Sequence, residues 1–184
     1  MLSDADCYRS YLNGDDDAFR EIIDRYHNSI SLYINSIVKD ICAAEEIMQN
    51  TFVKIAVNRP AFRGRSTFKT WLFTIVRNSA VDWIKHRSRY SDQPIDECFS
   101  LADETDIEKT VLKDEQKIEL HNAMKKLNAD YFQVLYLMYF EEFDTAETAA
   151  IMHRTKRQIG DLIYRAKKSL KTELEKAGFE YEKY

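Results

Sequence analysis

The sequence predicts an all-α protein: two small helical bundles joined by a flexible acidic linker. Three observations carry this. Apolar residues recur at three- and four-residue spacing through Phe19, Ile22, Ile23, Tyr26, Ile30, Tyr33, Ile34 and Ile37. The spacing returns at Ala44, Ile47, Met48, Thr51, Phe52 and Ile55, at Phe68, Leu72, Val76, Ala80 and Trp83, and at Ile159, Leu162, Ile163, Ala166 and Leu170. This is the period of helices with one buried face. Between these sets, the stretch from residue 91 holds Pro94, many turn formers and seven acids counting Glu108, with no base before Lys109, which is linker composition. Finally, Asp144 and Thr155 each precede a Glu or Gln by three positions, two helix-start signals separated by a short helix and a turn.

Composition bounds the rest. A chain of 184 residues, 45% hydrophobic and 32% charged, can form two domains of about 80 residues each, a size at which cores are marginal. The expected division is residues 5–90, a linker over 91–114, and residues 115–177. The formal net charge of -4 would argue against nucleic acid if it were evenly spread, but it is split into acidic and basic blocks. No apolar run follows Met1, and the longest apolar stretch, residues 131–140, is interrupted by Gln133 and too short to span a bilayer. A cytoplasmic protein with no membrane insertion is expected. Cys7, Cys42 and Cys98 are widely spaced and expected as reduced thiols. Neither they nor His27, His86, His121 and His153 form a metal or catalytic set, and Gly14, Gly64, Gly160 and Gly178 form no phosphate loop. No enzyme, metal or cofactor is expected.

Taken in order, Asn13-Gly14 and the acids that follow start the first long helical stripe, which packs as one helix or as two with a break near residues 27–29. Residues 39–43 connect to a helix over about 43–57, whose polar face presents Glu45, Glu46, Gln49 and Asn50. A further helix starts near Ser66 or Thr67 and buries Phe68, Leu72, Ile75, Val76, Ala80, Trp83 and Ile84, with Trp71 also assigned to the core. Its other surface carries Lys69, Phe73, Arg77, Asn78 and Lys85. Lys54, Arg59, Arg63, Arg65, Arg87 and Arg89 flank it, against the single acid Asp82. The plain reading is a solvated helix face. Against it, Phe73 lies between Lys69 and Arg77 at helical spacing, and Phe62 sits in the Arg-rich loop beside Gly64, where a ring can stack on a base. Asn78 adds an amide able to read a base edge turned out of the duplex.

In the C-terminal part, Ile118, Met124 and Leu127 begin a helical pattern. Residues 131–140 are apolar nearly all round, as in the central helix of a small bundle. A short helix from Asp144 to Met152, a turn of about three residues and a second helix from Thr155 give the spacing of a helix-turn-helix whose second helix enters the major groove. That second helix leaves Lys156, Arg157, Arg165, Lys167, Lys168 and Lys171 for DNA or solvent.

The segments Ala44-Glu-Glu-Ile-Met-Gln-Asn-Thr-Phe52, Phe62-Arg-Gly-Arg-Ser-Thr-Phe-Lys-Thr-Trp-Leu72 and Ile75-Val-Arg-Asn78 resemble region 2 of the extracytoplasmic-function sigma factors of bacterial RNA polymerase. Thr148-Ala-Ala-Ile-Met-His-Arg-Thr-Lys-Arg-Gln-Ile159 and Tyr164-Arg-Ala-Lys-Lys-Ser-Leu170 resemble region 4 of the same family. The resemblance implies a factor that directs core RNA polymerase to promoters. Glu45, Glu46, Gln49 and Asn50 would dock on the clamp helices of the largest subunit, and region 4 on the flap of the second-largest. Phe62, Arg63, Gly64, Arg65, Lys69, Phe73, Arg77, Asn78 and Lys85 would engage the promoter -10 element, the loop around Phe62 capturing a flipped base. Thr155, Lys156, Arg157, Gln158, Asp161, Arg165 and Lys168 would engage the -35 element. The linker would thread through the polymerase, and an anti-sigma factor is a further implied partner. The chain departs from the family pattern at Asn50, where an acid is common. It departs again at His153 and Arg154, in place of a turn glycine and a buried aliphatic, and at Gly160 and Leu162, where bases are frequent. A stand-alone helix-turn-helix regulator is the alternative; it leaves residues 44–89 without a use.

Overall fold

The computed structural model describes residues 2–89 and 115–176. The expected linker over 91–114 lies outside them. The chain divides into two compact units, Met1–Asp103 and Glu104–Tyr184, and the described residues of both are helical with no strand.

The first unit holds α1 (Asp4–Leu12), α2 (Asp16–Val38), α3 (Ile41–Asn58) and α4 (Phe68–Arg89). Side-chain caps set their starts. Ser3 accepts from the Asp6 amide, Asp15 from that of Ala18, and Asp40 from that of Ala43, each satisfying an amide that has no partner inside its helix. Of the two alternatives, one helix or two, the structure has one: α2 is continuous through residues 27–29. Ser29 donates its hydroxyl to the Tyr26 carbonyl at 3.3 Å, and Tyr26, Ile30, Tyr33, Ile34 and Ile37 are buried in register on both sides. Burial of that stripe outweighs the weak helix propensity of Asn28 and Ser29. The turn into α3 needs only Lys39, in the left-handed region at φ 57°, and the capping Asp40. Arg25 bridges Asp4 and Glu21, and Tyr26 also donates to Asp4, so α1 is pinned to α2 by a charged cluster. α4 packs against α1, α2 and α3.

The second unit holds α5 (Glu115–Lys125), α6 (Ala129–Leu135), α7 (Thr145–Met152) and α8 (Lys156–Lys176). The apolar stretch read as a central helix is α6 continued by a π-helical turn, Tyr136–Phe140. Phe132, Val134, Leu135, Tyr136 and Leu137 are buried, with His121 of α5 edge-on to Phe132 at 5.2 Å and to Phe140 at 5.9 Å. Of the thiols expected to be reduced, Cys7 is free and buried. Cys98 lies outside the described residues. No helix among the described residues is long and apolar enough to cross a membrane.

Candidate nucleic-acid interface

The loop between α3 and α4 is built by its two ends. Arg59 leaves α3 in the left-handed region at φ 43°, its guanidinium 4.9 Å above the Tyr11 ring and 3.9 Å from Asp16. At the other end, Thr67 Oγ1 accepts from the Thr70 amide at 3.2 Å and lies 2.7 Å from the Thr70 hydroxyl, capping α4. Arg63, Gly64 and Arg65 are exposed. Gly64 has φ 67°, and a Cβ there would meet nothing within 4 Å. Its backbone conformation, not crowding, therefore favours glycine. Phe62 is half-buried: its ring lies edge-on to Phe68 at 5.5 Å and 5.6 Å from Trp71. A half-exposed aromatic pair, Phe62 and Trp71, thus meets at a loop that also exposes Arg63 and Arg65, residue types suited to a base and its phosphates.

α4 corrects part of the expected basic face. Phe73 is 0% exposed, packed 5.4 Å from Tyr33 and 6.4 Å from Tyr26 of α2. It belongs to the core and offers no ring to a base. The reason is that a helix contacting three others buries a wider arc than a single-stripe pattern suggests. Lys69 and Asn78 are nine positions apart, about half a turn out of phase at roughly 100° per residue, so these residues do not share one face. Lys69 is half-buried, its ammonium 5.9 Å from the Phe73 ring, and Arg77 is half-buried as well. Asn78 and Lys85 lie on the opposite, exposed side, where Lys85 is 3.3 Å from Asp82. Trp71, assigned to the core from sequence, is half-exposed on that side and connects it to Phe62. Trp83 is also half-exposed under the Arg87 guanidinium, and Ile84 is exposed.

On α3, Ala44, Ile47, Met48, Thr51, Phe52 and Ile55 are buried as expected. Glu46, Gln49 and Asn50 are exposed and Glu45 is half-buried at the edge. Val53 and Val57, 59% and 75% exposed, extend the same outer stripe.

In the second unit both start signals form complete reciprocal caps. Asp144 Oδ1 accepts from the amides of Ala146 and Glu147 at 2.6 and 2.8 Å, and Glu147 Oε2 accepts from the Asp144 amide at 3.1 Å. Thr155 Oγ1 accepts from the Gln158 amide at 3.2 Å, and Gln158 Oε1 from the Thr155 amide at 2.8 Å. Between them the turn is made by His153 at φ 52°, taking the left-handed position that glycine fills most easily, and by Arg154, whose guanidinium reaches Asp130 at 2.5 Å. α8 buries Ile159, Leu162, Ala166 and Leu174. Lys156, Arg157, Asp161, Arg165 and Lys168 are exposed.

The family model for Sigma-70 region 2 matches residues 22–90, and that for Sigma-70, region 4 matches residues 117–170. The chain belongs to the sigma-70 family, in its extracytoplasmic-function group. It is similar to the ECF RNA polymerase sigma factor SigX of Bacillus subtilis, 24% identical over 87% of this chain and 85% of SigX. It is 28% identical to SigM of the same organism over 82% of this chain and 91% of SigM. Its fold is similar to that of CnrH in complex with the cytosolic domain of CnrY, with TM-score 0.65 at 19% identity over 94% of this chain and 97% of that one. It is equally similar to the sigma factor RpoE in complex with the anti-sigma factor NepR from Bartonella quintana, with TM-score 0.66 at 22% identity over 85% and 96%.

Three exposed side chains of this sigma factor escaped the sequence reading. Tyr164 is 73% exposed and lies with Arg157, Asp161 and Lys168 within about 60° of arc on α8. Its helical phase relative to Lys168 was the available signal. Val53 and Val57 are apolar out of phase with the buried stripe of α3, which could equally have been noticed.

Proposed function

We propose that this sigma factor reads its promoter through two separate surfaces of different physics and docks on core polymerase through the outer stripe of α3. In this reading Phe62, Arg63, Gly64, Arg65, Trp71, Asn78 and Lys85 engage the unstacked strand of the -10 element, with Lys69 and Arg77 at the flank. Thr155, Lys156, Arg157, Gln158, Asp161, Arg165 and Lys168 engage the -35 duplex. Glu45, Glu46, Gln49 and Asn50, with the apolar Val53 and Val57, meet the clamp helices of the largest subunit, and the second unit meets the flap. The observation that carries the reading is the half-exposed Phe62 and Trp71 pair beside Arg63 and Arg65, since aromatic faces among cations serve single strands and have little use on intact duplex. Control by an anti-sigma factor is supported by RpoE having been solved with the anti-sigma factor NepR.

Binding of a promoter duplex by the chain with and without core polymerase tests this. Net charge is -4 and the two basic surfaces lie in separate units, so the free chain binds weakly and the holoenzyme well. Phe62→Ala impairs promoter opening, loss of one base stack costing about 1 to 3 kcal/mol. Arg157→Ala weakens -35 use and is relieved on templates that need no -35 contact. Tight sequence-specific binding by the isolated chain at physiological salt supports the stand-alone regulator instead.

A further inference from the structure

The end of α3 carries a defect that the chain repairs from a distance. Ala56 lies one turn before Pro60, and proline has no amide hydrogen. The Ala56 carbonyl therefore lacks the partner that the next turn would have supplied. Tyr11 of α1 donates its hydroxyl to that carbonyl at 2.8 Å. The Pro60 carbonyl, already in the loop, accepts from the Tyr8 hydroxyl at 2.8 Å. The same two rings form the floor of the loop. Tyr8 lies 5.3 Å from Phe68 and 5.2 Å from Trp71, the two side chains on which Phe62 rests, and Tyr11 lies under the Arg59 guanidinium. Tyr8 and Tyr11 are buried, and α1 is itself pinned to α2 through Arg25.

We infer that Tyr8 and Tyr11 are positioning residues for the -10 interface: α1 holds the entry of the loop over residues 59–67 by two backbone carbonyls and so places Phe62 for its base. The inference rests on the -10 role proposed above. Without the two hydroxyls the rings still fill the core, but the loop entry samples positions from which Phe62 cannot meet the strand. A net hydrogen bond shifts such a two-state population by about fivefold, so each anchor contributes a factor of that order.

The test uses Tyr8→Phe, Tyr11→Phe and the double variant in holoenzyme, beside Phe62→Ala. Opening of a duplex promoter falls by about fivefold for each single variant and further for the double, while affinity for core polymerase and -35 discrimination do not change. Amide hydrogen exchange on the free chain separates positioning from general loosening. Exchange accelerates in residues 59–67 of the variants and not through α2 and α4; acceleration spread evenly over the unit would overturn the inference. If the double variant does not fold, the single variants carry both readouts. If Phe62→Ala impairs opening while neither tyrosine variant alters opening or loop exchange, the positioning role is wrong and the -10 reading stands. If Phe62→Ala leaves opening intact, the -10 reading falls and this inference with it.

Discussion

Two phenylalanines eleven positions apart show how far residue type and spacing reach in this chain. Phe62 and Phe73 both stand among basic residues, and sequence alone gave them the same role. Burial separates them: Phe73 is fully buried, packed against Tyr26 and Tyr33 of α2, while Phe62 keeps a half-exposed ring. Phe73→Ala therefore costs about 3 to 5 kcal/mol of stability, and Phe62→Ala much less, with the order reversed for promoter opening. Thermal melts beside an opening assay check this, and similar destabilisation by both would contradict the assignment. Gly160 makes the opposite case. A Cβ there meets nothing within 4 Å, so Gly160→Ala stabilises the protein by up to about 1 kcal/mol, read as a raised melting temperature. A lowered one would show that the site demands glycine. The role of Arg154 is legible only in three dimensions, because its partner Asp130 lies far off in sequence.

Elements were legible wherever local chemistry and period agreed. The Asp144 cap and the Thr155 cap form as their spacing predicts, and the three-residue turn follows from them. Asn28 and Ser29 are poor helix formers and leave one helix or two open in the sequence, whereas the decisive fact, that α1, α3 and α4 all pack against α2, is non-local. The π-helical turn at Tyr136–Phe140 left no periodic trace in a run that is apolar on every side. Thr155 has a double assignment, as cap of α8 and as candidate DNA contact. Thr155→Ala loses about 1 kcal/mol of stability along with -35 use, while Thr155→Ser keeps the capping oxygen and retains both. Denaturant unfolding with transcription from a -35-dependent promoter checks the pair. Loss of -35 use in the serine variant at unchanged stability would assign the methyl group a contact of its own.

At the scale of the whole molecule, an acidic chain carries two concentrated basic segments: nine Lys and Arg against one acid over residues 54–89, and six against one over 156–171. This partition was visible in sequence; which cations share a face was not, since that depends on how α4 is packed. The buried tyrosines of the first unit give it an alkaline limit. Burial, then the neighbouring Tyr11, pushes the Tyr8 hydroxyl up to about 12, and burial also raises that of Tyr33, with Arg77 pulling the other way. In the unfolded chain both ionise near about pH 10. Their contribution to stability is therefore complete below that value and is lost as the pH climbs through the raised folded values. Denaturant midpoints and tyrosinate absorbance against pH measure it, and a midpoint that stays level through this window would contradict the burial of both rings. The central claim, that the chain directs core polymerase to promoters through two separate elements, is met most directly by run-off transcription of fragmented genomic DNA with purified core enzyme, mapping the new 5′ ends. The account predicts a discrete set of starts that appears only with this chain, shares two sequence elements at constant spacing, and is lost with Phe62→Ala; starts unchanged by adding the chain, or sharing one palindromic element, would contradict it.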